Sequence, residues 1–247
     1  MAGGGISTGH FPDFVQGLER GTSFSFACHK WLNCFTECCR LLDLALTPYD
    51  ILRLRSATGL SSGDFLEKYV IVEHKEGEAF PHLYLTMVDD GQGSCVFVSP
   101  NGCTVYEHRP GACRAYPVGR AVTPLASGAI DEHFVLVKEG HCLGFNEAAL
   151  QTAEQFCIDQ GMTGYNRLND AVASIMQHEK VRGGFMPSPS QKELILLTLF
   201  DLDRWKALLI QGVHDSVDTE TALAKGQSTD EELLLFAIKW LEKRLFG

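Results

Sequence analysis

The chain has 247 residues, of which 45 % are hydrophobic and 21 % charged, and its formal net charge is -10. That length buries a core without staples, as one large domain or two small ones. The acidic balance argues against a nucleic-acid surface and against docking to anionic lipid, both of which need clustered Lys and Arg. No apolar run approaches the roughly 18 residues of a bilayer span, and Met1 to Asp13 lacks a basic-then-apolar signal pattern, so a cytoplasmic protein without membrane or nucleic-acid partners is expected.

In chain order, Gly-rich residues 1–22 read as a flexible lead, with Gly3 to Gly5 part of a loose terminus and not a phosphate cradle. A cysteine-rich segment follows over Ser23 to Cys39. Thr47-Pro48-Tyr49-Asp50 places Thr at an N-cap, Pro at the first helical position and an acid three residues after the cap, which predicts a helix through Ile51, Leu52 and Leu54 that stops at Gly59. Ser61 or Ser62 caps a second, short helix with Phe65, Leu66, Tyr69 and Val70. Leu83–Val88, Cys95–Val98, Cys103–Tyr106 and Phe134–Val137 have strand composition, and Ser99-Pro100-Asn101-Gly102 is a hairpin turn that sets Cys95 and Cys103 at adjacent strand ends. From Glu147 the pattern is helical: Glu147–Gln160, Tyr165–Lys180, Gln191–Ile210 and Thr229–Phe246, the last opened by a Ser228/Glu231 capping box. Gly183-Gly184 and Pro187-Ser188-Pro189 divide the middle pair, and 212–226 reads as a polar connection. Trp205, Leu208, Leu209, Trp240 and Leu241 fall on core faces, while Asp201, Asp203, Glu231 and Glu232 read as solvated or capping acids. The expected fold class is α+β, with a cysteine-bearing module of short antiparallel strands over 23–146. An all-helical half over 147–247 packs on it and offers a surface to a protein partner.

Nine cysteines carry the chemistry. Cys28, Cys34, Cys38 and Cys39 lie in one short window, followed by Cys95, Cys103, Cys113 and Cys142. In a reducing compartment clustered thiols bind metal or do redox chemistry more often than they pair, and an odd count leaves one thiol out of any all-disulfide scheme. Cys34, Cys38 and Cys39 reach one centre from a single turn of backbone, and Cys28 joins from an irregular loop. The spacings match neither paired zinc knuckles nor the common ferredoxin runs, so thiolate donors point to a metal without choosing it. Buried, unliganded thiols are the competing reading. Cys157, in a helical pattern with Ala153 and Phe156, reads as core packing.

The cysteine run ending in Cys38-Cys39, the Thr47-Pro48-Tyr49-Asp50-Ile51 helix start, Cys95-Val96-Phe97-Val98, Gly102-Cys103-Thr104-Val105-Tyr106 and Cys142 beside Gly144 resemble the YkgJ-type cysteine-cluster family. The most specific part is Arg109-Pro110-x2-Cys113-Arg114-x-Tyr116-Pro117, and the resemblance covers about residues 26–145. The chain departs from the family's Cys-x2-Cys-x2-Cys-Cys signature, having Cys28-x5-Cys34-x3-Cys38-Cys39. The resemblance implies zinc or iron chelation, with Cys28, Cys34, Cys38, Cys39, Cys95, Cys103, Cys113 and Cys142 as ligands. They would hold an iron–sulfur cluster of the 4Fe–4S type or Zn, as two four-thiolate sites or one cluster plus one zinc. The metal would be redox-active or structural. Some relatives look like flagellin lysine N-methylases, so a protein-modifying, methyltransferase-like enzyme is an alternative, and a zinc-stabilised interaction module is a third.

Arg109, Arg114 and Tyr116 flank a candidate ligand and are read as cofactor-binding side chains around the metal, since positive charge favours thiolates; ordinary salt bridging is the alternative for the two arginines. His29, His108 and His141 stand beside cysteines as candidate ligands or solvent-facing side chains. Phosphate-binding loops, dinucleotide fingerprints and the zincin and nucleophile-elbow motifs are missing from the sequence.

Overall fold

A computed structural model describes residues 12–125, 129–213 and 217–247, so the Gly3–Gly5 reading lies outside the described residues. The class is α+β. Strand β1 (Val15–Leu18) falls inside the stretch expected to be a loose lead. It pairs antiparallel with a later strand from Val15↔Val137 to Leu18↔Phe134, because Leu18 and Phe134 bury their side chains together. After β2 (Ser23–Ser25) the chain enters the cysteine segment, then α1 (Pro48–Thr58) and α2 (Ser62–Tyr69). Helix α1 is built as its sequence dictates. Thr47 and Asp50 form a complete capping box, Pro48 opens the helix, and Gly59 closes it in the left-handed region at φ 69. Ser61 caps α2.

The expected Leu83–Val88 strand is two. With β3 (Val70–Glu73) in place, β4 (His82–Leu85) pairs with it, and β5 (Met87–Val88) pairs instead with β6 (Ser94–Cys95). The break falls at Thr86, whose N–H is taken by the Tyr69 carbonyl at 2.9 Å. Next, β7 (Val98–Ser99) and β8 (Gly102–Cys103) pair around the predicted turn. The expected Cys95–Val98 strand is broken, however, with Cys95 paired to Met87 of β5 instead of lying in the hairpin, and Tyr106–His108 is a 3-10 turn and not strand. Helix α3 (Gly111–Ala115) leads into β9 (Val118–Pro124) and β10 (Ile130–Val137), which with β1 make a three-stranded sheet in the order β1-β10-β9. Strand β9 escaped the sequence reading because its pattern carries Arg120. That guanidinium binds Asp170 at 2.6 and 3.0 Å and also Glu132.

The Glu147–Gln160 helix begins late. β11 (Leu150–Thr152) pairs with β2, and α4 (Ala153–Asp159) starts only at the Thr152 cap. Pairing with a distant strand overrides local helical propensity. Helix α5 (Met162–Met176) and the short α6 (Glu179–Arg182) follow. The expected 191–210 helix divides into α7 (Pro189–Leu199) and α8 (Leu202–Ile210), because the break lets acids at the start of α8 seize α2. The Ser62 hydroxyl donates to Asp201 at 2.7 Å and the Ser62 N–H to Asp203 at 2.8 Å. These acids are inter-helix fasteners, not solvated ones.

The 212–226 connection contains α9 (Thr219–Gly226), capped by Asp218 and burying Ala222, while residues 214–216 of that connection are outside the described set. The last helix, α10 (Asp230–Phe246), has its capping box one residue later than expected, at Thr229 and Glu232. This frees Glu231 to take hydrogen bonds from Tyr49 and, at 2.7 Å, from Arg167. Helix α10 packs on α5 and α7, α2 on α8, and α1 on α5, so one apolar core runs from Leu18 to Phe246. Trp205, Leu209 and Leu241 are inside it.

Arg120 ties β10 to α5 through Glu132 and Asp170. Burial opposes the Glu132 carboxylate, but the hydrogen bonds and charges of Arg120 and Arg20 outweigh it and hold its pKa below the ordinary 4.5. A depressed carboxyl contributes stability that is present above pH 4.5 and lost as pH falls through the lowered value. Glu132→Gln is therefore expected to flatten the acid limb of a urea-midpoint-versus-pH curve; identical curves for variant and wild type would remove this account.

Candidate metal centre

The cysteine segment between β2 and α1 is not regular structure. It is a run of tight turns, with Leu32 N–H to His29 O, Phe35 N–H to Leu32 O, Glu37 N–H to Cys34 O and Cys39 N–H to Thr36 O at 2.9–3.2 Å. Thr36 (φ 70) and Leu41 (φ 52) are both left-handed, an uncommon conformation for residues with a Cβ. They bracket Cys38 and Cys39 in a short 3-10 turn.

Three outside elements hold this run. On one side, the Ala27 N–H bonds Gly144 O at 3.1 Å and the Leu143 N–H donates to the Cys34 sulfur at 3.2 Å, 109 residues away in the chain, which brings Cys142 toward Cys28 and Cys34. On another, Arg40 bridges to Ser94 and the Leu41 N–H bonds Gly93 O at 2.9 Å, setting Cys39 beside the end of β6 that carries Cys95. The hairpin bearing Cys103 lies against Phe35. The third is α3, which carries Cys113. Its first N–H, at Gly111, donates to Asp50 Oδ1 at 2.7 Å.

The thiols feel one another. Cys28 is pushed up to about 11 by burial and then by the charges of Cys38, Cys142 and Cys34, with Arg109 opposing. Cys113 is pushed up to about 12 by burial, then by Cys95, Asp50, Cys38 and Cys103. Cys38 is raised by a hydrogen bond with Cys39, by burial and by that neighbour's charge. Burial also raises Cys95 and Cys103. Backbone N–H groups of Phe97 and Val98 at the first, and of Val105 together with Arg109 at the second, favour their thiolates. All nine cysteines are free thiols. Among the described residues, no three His, Cys, Asp or Glu side chains are already drawn to the geometry that grips a metal ion. The thiols do not form a finished coordination shell, and each would have to lose its proton to become a ligand. Cys157 lies apart in the core of α4.

The three flanking residues do different work. Arg109 is buried. It donates to Tyr106 O at 3.0 Å and to Gln160 Oε1 at 2.6 Å, and lies 3.9 Å over the Tyr106 ring, with its charge acting on Cys28 and Cys103. Arg114 donates to the backbone oxygens of Gln160 (2.7 Å) and Glu107 (2.8 Å), buttressing the protein. Both arginines thus bond neutral oxygens. The Tyr116 hydroxyl is buried. Burial, and then the hydrogen-bonding reach and charge of Cys142 and Glu139, raise its pKa and keep it protonated beside the Cys142 thiol. His29 stands 3.6 Å from Glu147 and His141 3.8 Å from Glu139, while His108 Nδ1 is buried without a partner. The sequence reading missed Gln160, Tyr165 (whose hydroxyl donates to Arg109 O at 2.9 Å) and the reach of Asp50 beyond its cap. A capping motif betrayed Asp50; nothing local signalled the other two.

Gly144 sits where Cys28 and Cys142 meet. A Cβ there would lie 2.6 Å from the Phe26 ring and 2.9 Å from Ala27 O. Gly144→Ala is expected to cost about 1–3 kcal/mol, the range for overpacking, read from denaturant midpoints. A variant as stable as wild type would show that this contact yields.

Soft thiol donors with N–H groups aimed at sulfur suit a thiolate-held cation. Neither the curated proteins nor the solved structures contain a match to the chain. A family model, CxxCxxCC, described as a "putative zinc- or iron-chelating domain", matches residues 27–157. Every one of the nine cysteines falls within that span, and the chain belongs to this zinc- or iron-chelating cysteine-cluster family.

Proposed function

We propose that the protein holds an iron–sulfur cluster of the 4Fe–4S type through thiolates drawn from Cys28, Cys34, Cys38, Cys39, Cys95, Cys103, Cys113 and Cys142. What supports this most is that eight free thiols lie on four chain segments that act electrostatically on one another, with backbone N–H groups directed at Cys34, Cys95 and Cys103. Structural zinc is usually satisfied by four donors in tight knuckles; this set is larger and more dispersed. Donors to cluster sulfurs tune reduction potential, which gives Arg109 and Tyr116 a role around the centre, while Arg114 braces its frame. When bound, such a cluster supplies one-electron redox chemistry or, with an open site, Lewis acidity. The chain's own residues would orient the thiols, two of which, Cys28 and Cys38, stand exposed.

Elemental and acid-labile sulfide analysis of protein purified without oxygen, with its visible spectrum, tests the reading. Brown protein with iron and sulfide is the expected result. Colourless protein with stoichiometric zinc would replace the cluster with a structural site, and absence of both metals would overturn chelation.

A further inference from the structure

The Thr47-Pro48-Tyr49-Asp50 start of α1 explains a helix cap, yet the acid in it does more than cap. Asp50 is 1 % exposed. Its Oδ2 accepts the Thr47 N–H at 2.7 Å and the Thr47 hydroxyl at 2.9 Å, which completes the cap. Its Oδ1 faces the opposite way and accepts the Gly111 N–H at 2.7 Å, 61 residues further along the chain. Gly111 is the first residue of α3, and Cys113 is the third. Pro110, the residue before, caps α3 with no side-chain hydrogen bond of its own, and so short a helix has little intrinsic stability. The Tyr165 hydroxyl fixes the preceding carbonyl, Arg109 O, at 2.9 Å. Asp50 and Tyr165 therefore clamp the two ends of the Arg109–Gly111 peptide run from α1 and α5.

We infer that Asp50 is a positioning residue for the metal centre: one carboxylate starts α1 and also anchors the first turn of α3, so that the helix cap on one element sets where the Cys113 sulfur stands. Asp50 cannot help by charge, since a carboxylate beside Cys113 disfavours its thiolate. Its contribution is geometric. The inference rests on Cys113 being a ligand, as proposed above, but the anchoring is measurable without metal.

The test is hydrogen exchange by mass spectrometry on the full chain as isolated, comparing wild type, Asp50→Ala, Thr47→Ala and Cys113→Ser. Thr47→Ala weakens the cap alone, and Cys113→Ser mimics loss of the ligand with the anchor intact. Amides of Gly111–Ala115 are expected to exchange about tenfold faster in Asp50→Ala than in either control, the signature of a local opening. Exchange no faster than in Thr47→Ala would reduce Asp50 to a cap. Exchange no faster than in Cys113→Ser would assign the order of α3 to the ligand and overturn the anchor. If Asp50→Ala fails to fold, Asp50→Asn decides by the same comparison, because its single acceptor oxygen can serve Thr47 or Gly111 but not both. Loading the same variants with cobalt(II) adds a spectroscopic readout. The thiolate-to-cobalt absorption should fall in Asp50→Ala to the Cys113→Ser level and stay at the wild-type level in Thr47→Ala. Wild-type cobalt absorption in Asp50→Ala would overturn the positioning claim, whereas exchange alone still tells whether α3 hangs on Asp50.

Discussion

Cys113→Ser and Cys38→Ser are each expected to lose metal and melting temperature together, whereas Cys157→Ser keeps its full metal content. Cys38 is the thiol whose neighbours span both sides of the cluster, since it acts on Cys28, Cys103 and Cys113 alike. Cys113 arrives on the only α-helix that carries one of the eight thiols and is held by Asp50 and Arg114 contacts that a serine leaves intact. Both substitutions therefore isolate the sulfur. A ligand that binds only the folded state stabilises it by about 3–4 kcal/mol at 100–1,000 times its dissociation constant. In a chain of this length that is roughly 5–15 °C in melting temperature. Cys157 is buried beside Phe156 in α4, so serine there costs packing and buries a hydroxyl but leaves the thiol cluster alone. Elemental analysis beside thermal melts with and without chelator reads all three. Equal metal in the three variants would remove the chelation account, and melts insensitive to chelator would detach metal from stability.

Arg109→Ala is expected to be the most damaging change outside the cysteines. It deletes a buried guanidinium that binds the Tyr106 carbonyl and Gln160 Oε1 and lies over the Tyr106 ring. It also withdraws the positive charge that offsets Cys28 and Cys103. Charge-assisted hydrogen bonds and the ring contact together are worth roughly 2–5 kcal/mol. Lysine restores the charge but not the two-pronged geometry, so Arg109→Lys should recover metal retention better than it recovers stability. Urea midpoints give the second quantity, and the rate of metal transfer to a chromophoric chelator gives the first. If Arg109→Lys matches wild type in both, the fork is irrelevant and only the charge matters; if it matches Arg109→Ala in both, the charge is irrelevant to the thiols.

Local chemistry was legible where a few consecutive residues suffice. Thr47, Pro48, Asp50 and Gly59 specify α1 by themselves, because a capping box, an N1 proline and a left-handed terminator act within one helix. The same logic found α10 but misassigned its cap by one residue, since Ser228/Glu231 and Thr229/Glu232 are both chemically competent and Glu231 is drawn instead to Tyr49 and Arg167. Strands β1, β9 and β11 went unseen for the opposite reason. The partners of β1 and β11 are distant in the chain, while β9, which pairs with the adjacent β10, carries an arginine whose charge is met only by Glu132 and Asp170. The split of α7 from α8 followed from Ser62 of α2, which no local pattern contains.

The sequence by itself determined that this chain is acidic, α+β and rich in thiols of the cysteine-cluster family, because composition, capping residues and the Arg109–Pro117 phrase are local properties. Only the tertiary structure decided which thiols are neighbours. Cys28 and Cys34 meet Cys142 through Ala27, Gly144 and Leu143, Cys39 meets the Cys95 strand through Arg40 and Ser94, and Cys113 is delivered by Asp50. Each of these joins is made by a backbone or side-chain hydrogen bond between segments far apart in the chain, a pairing that no local pattern of residues can encode.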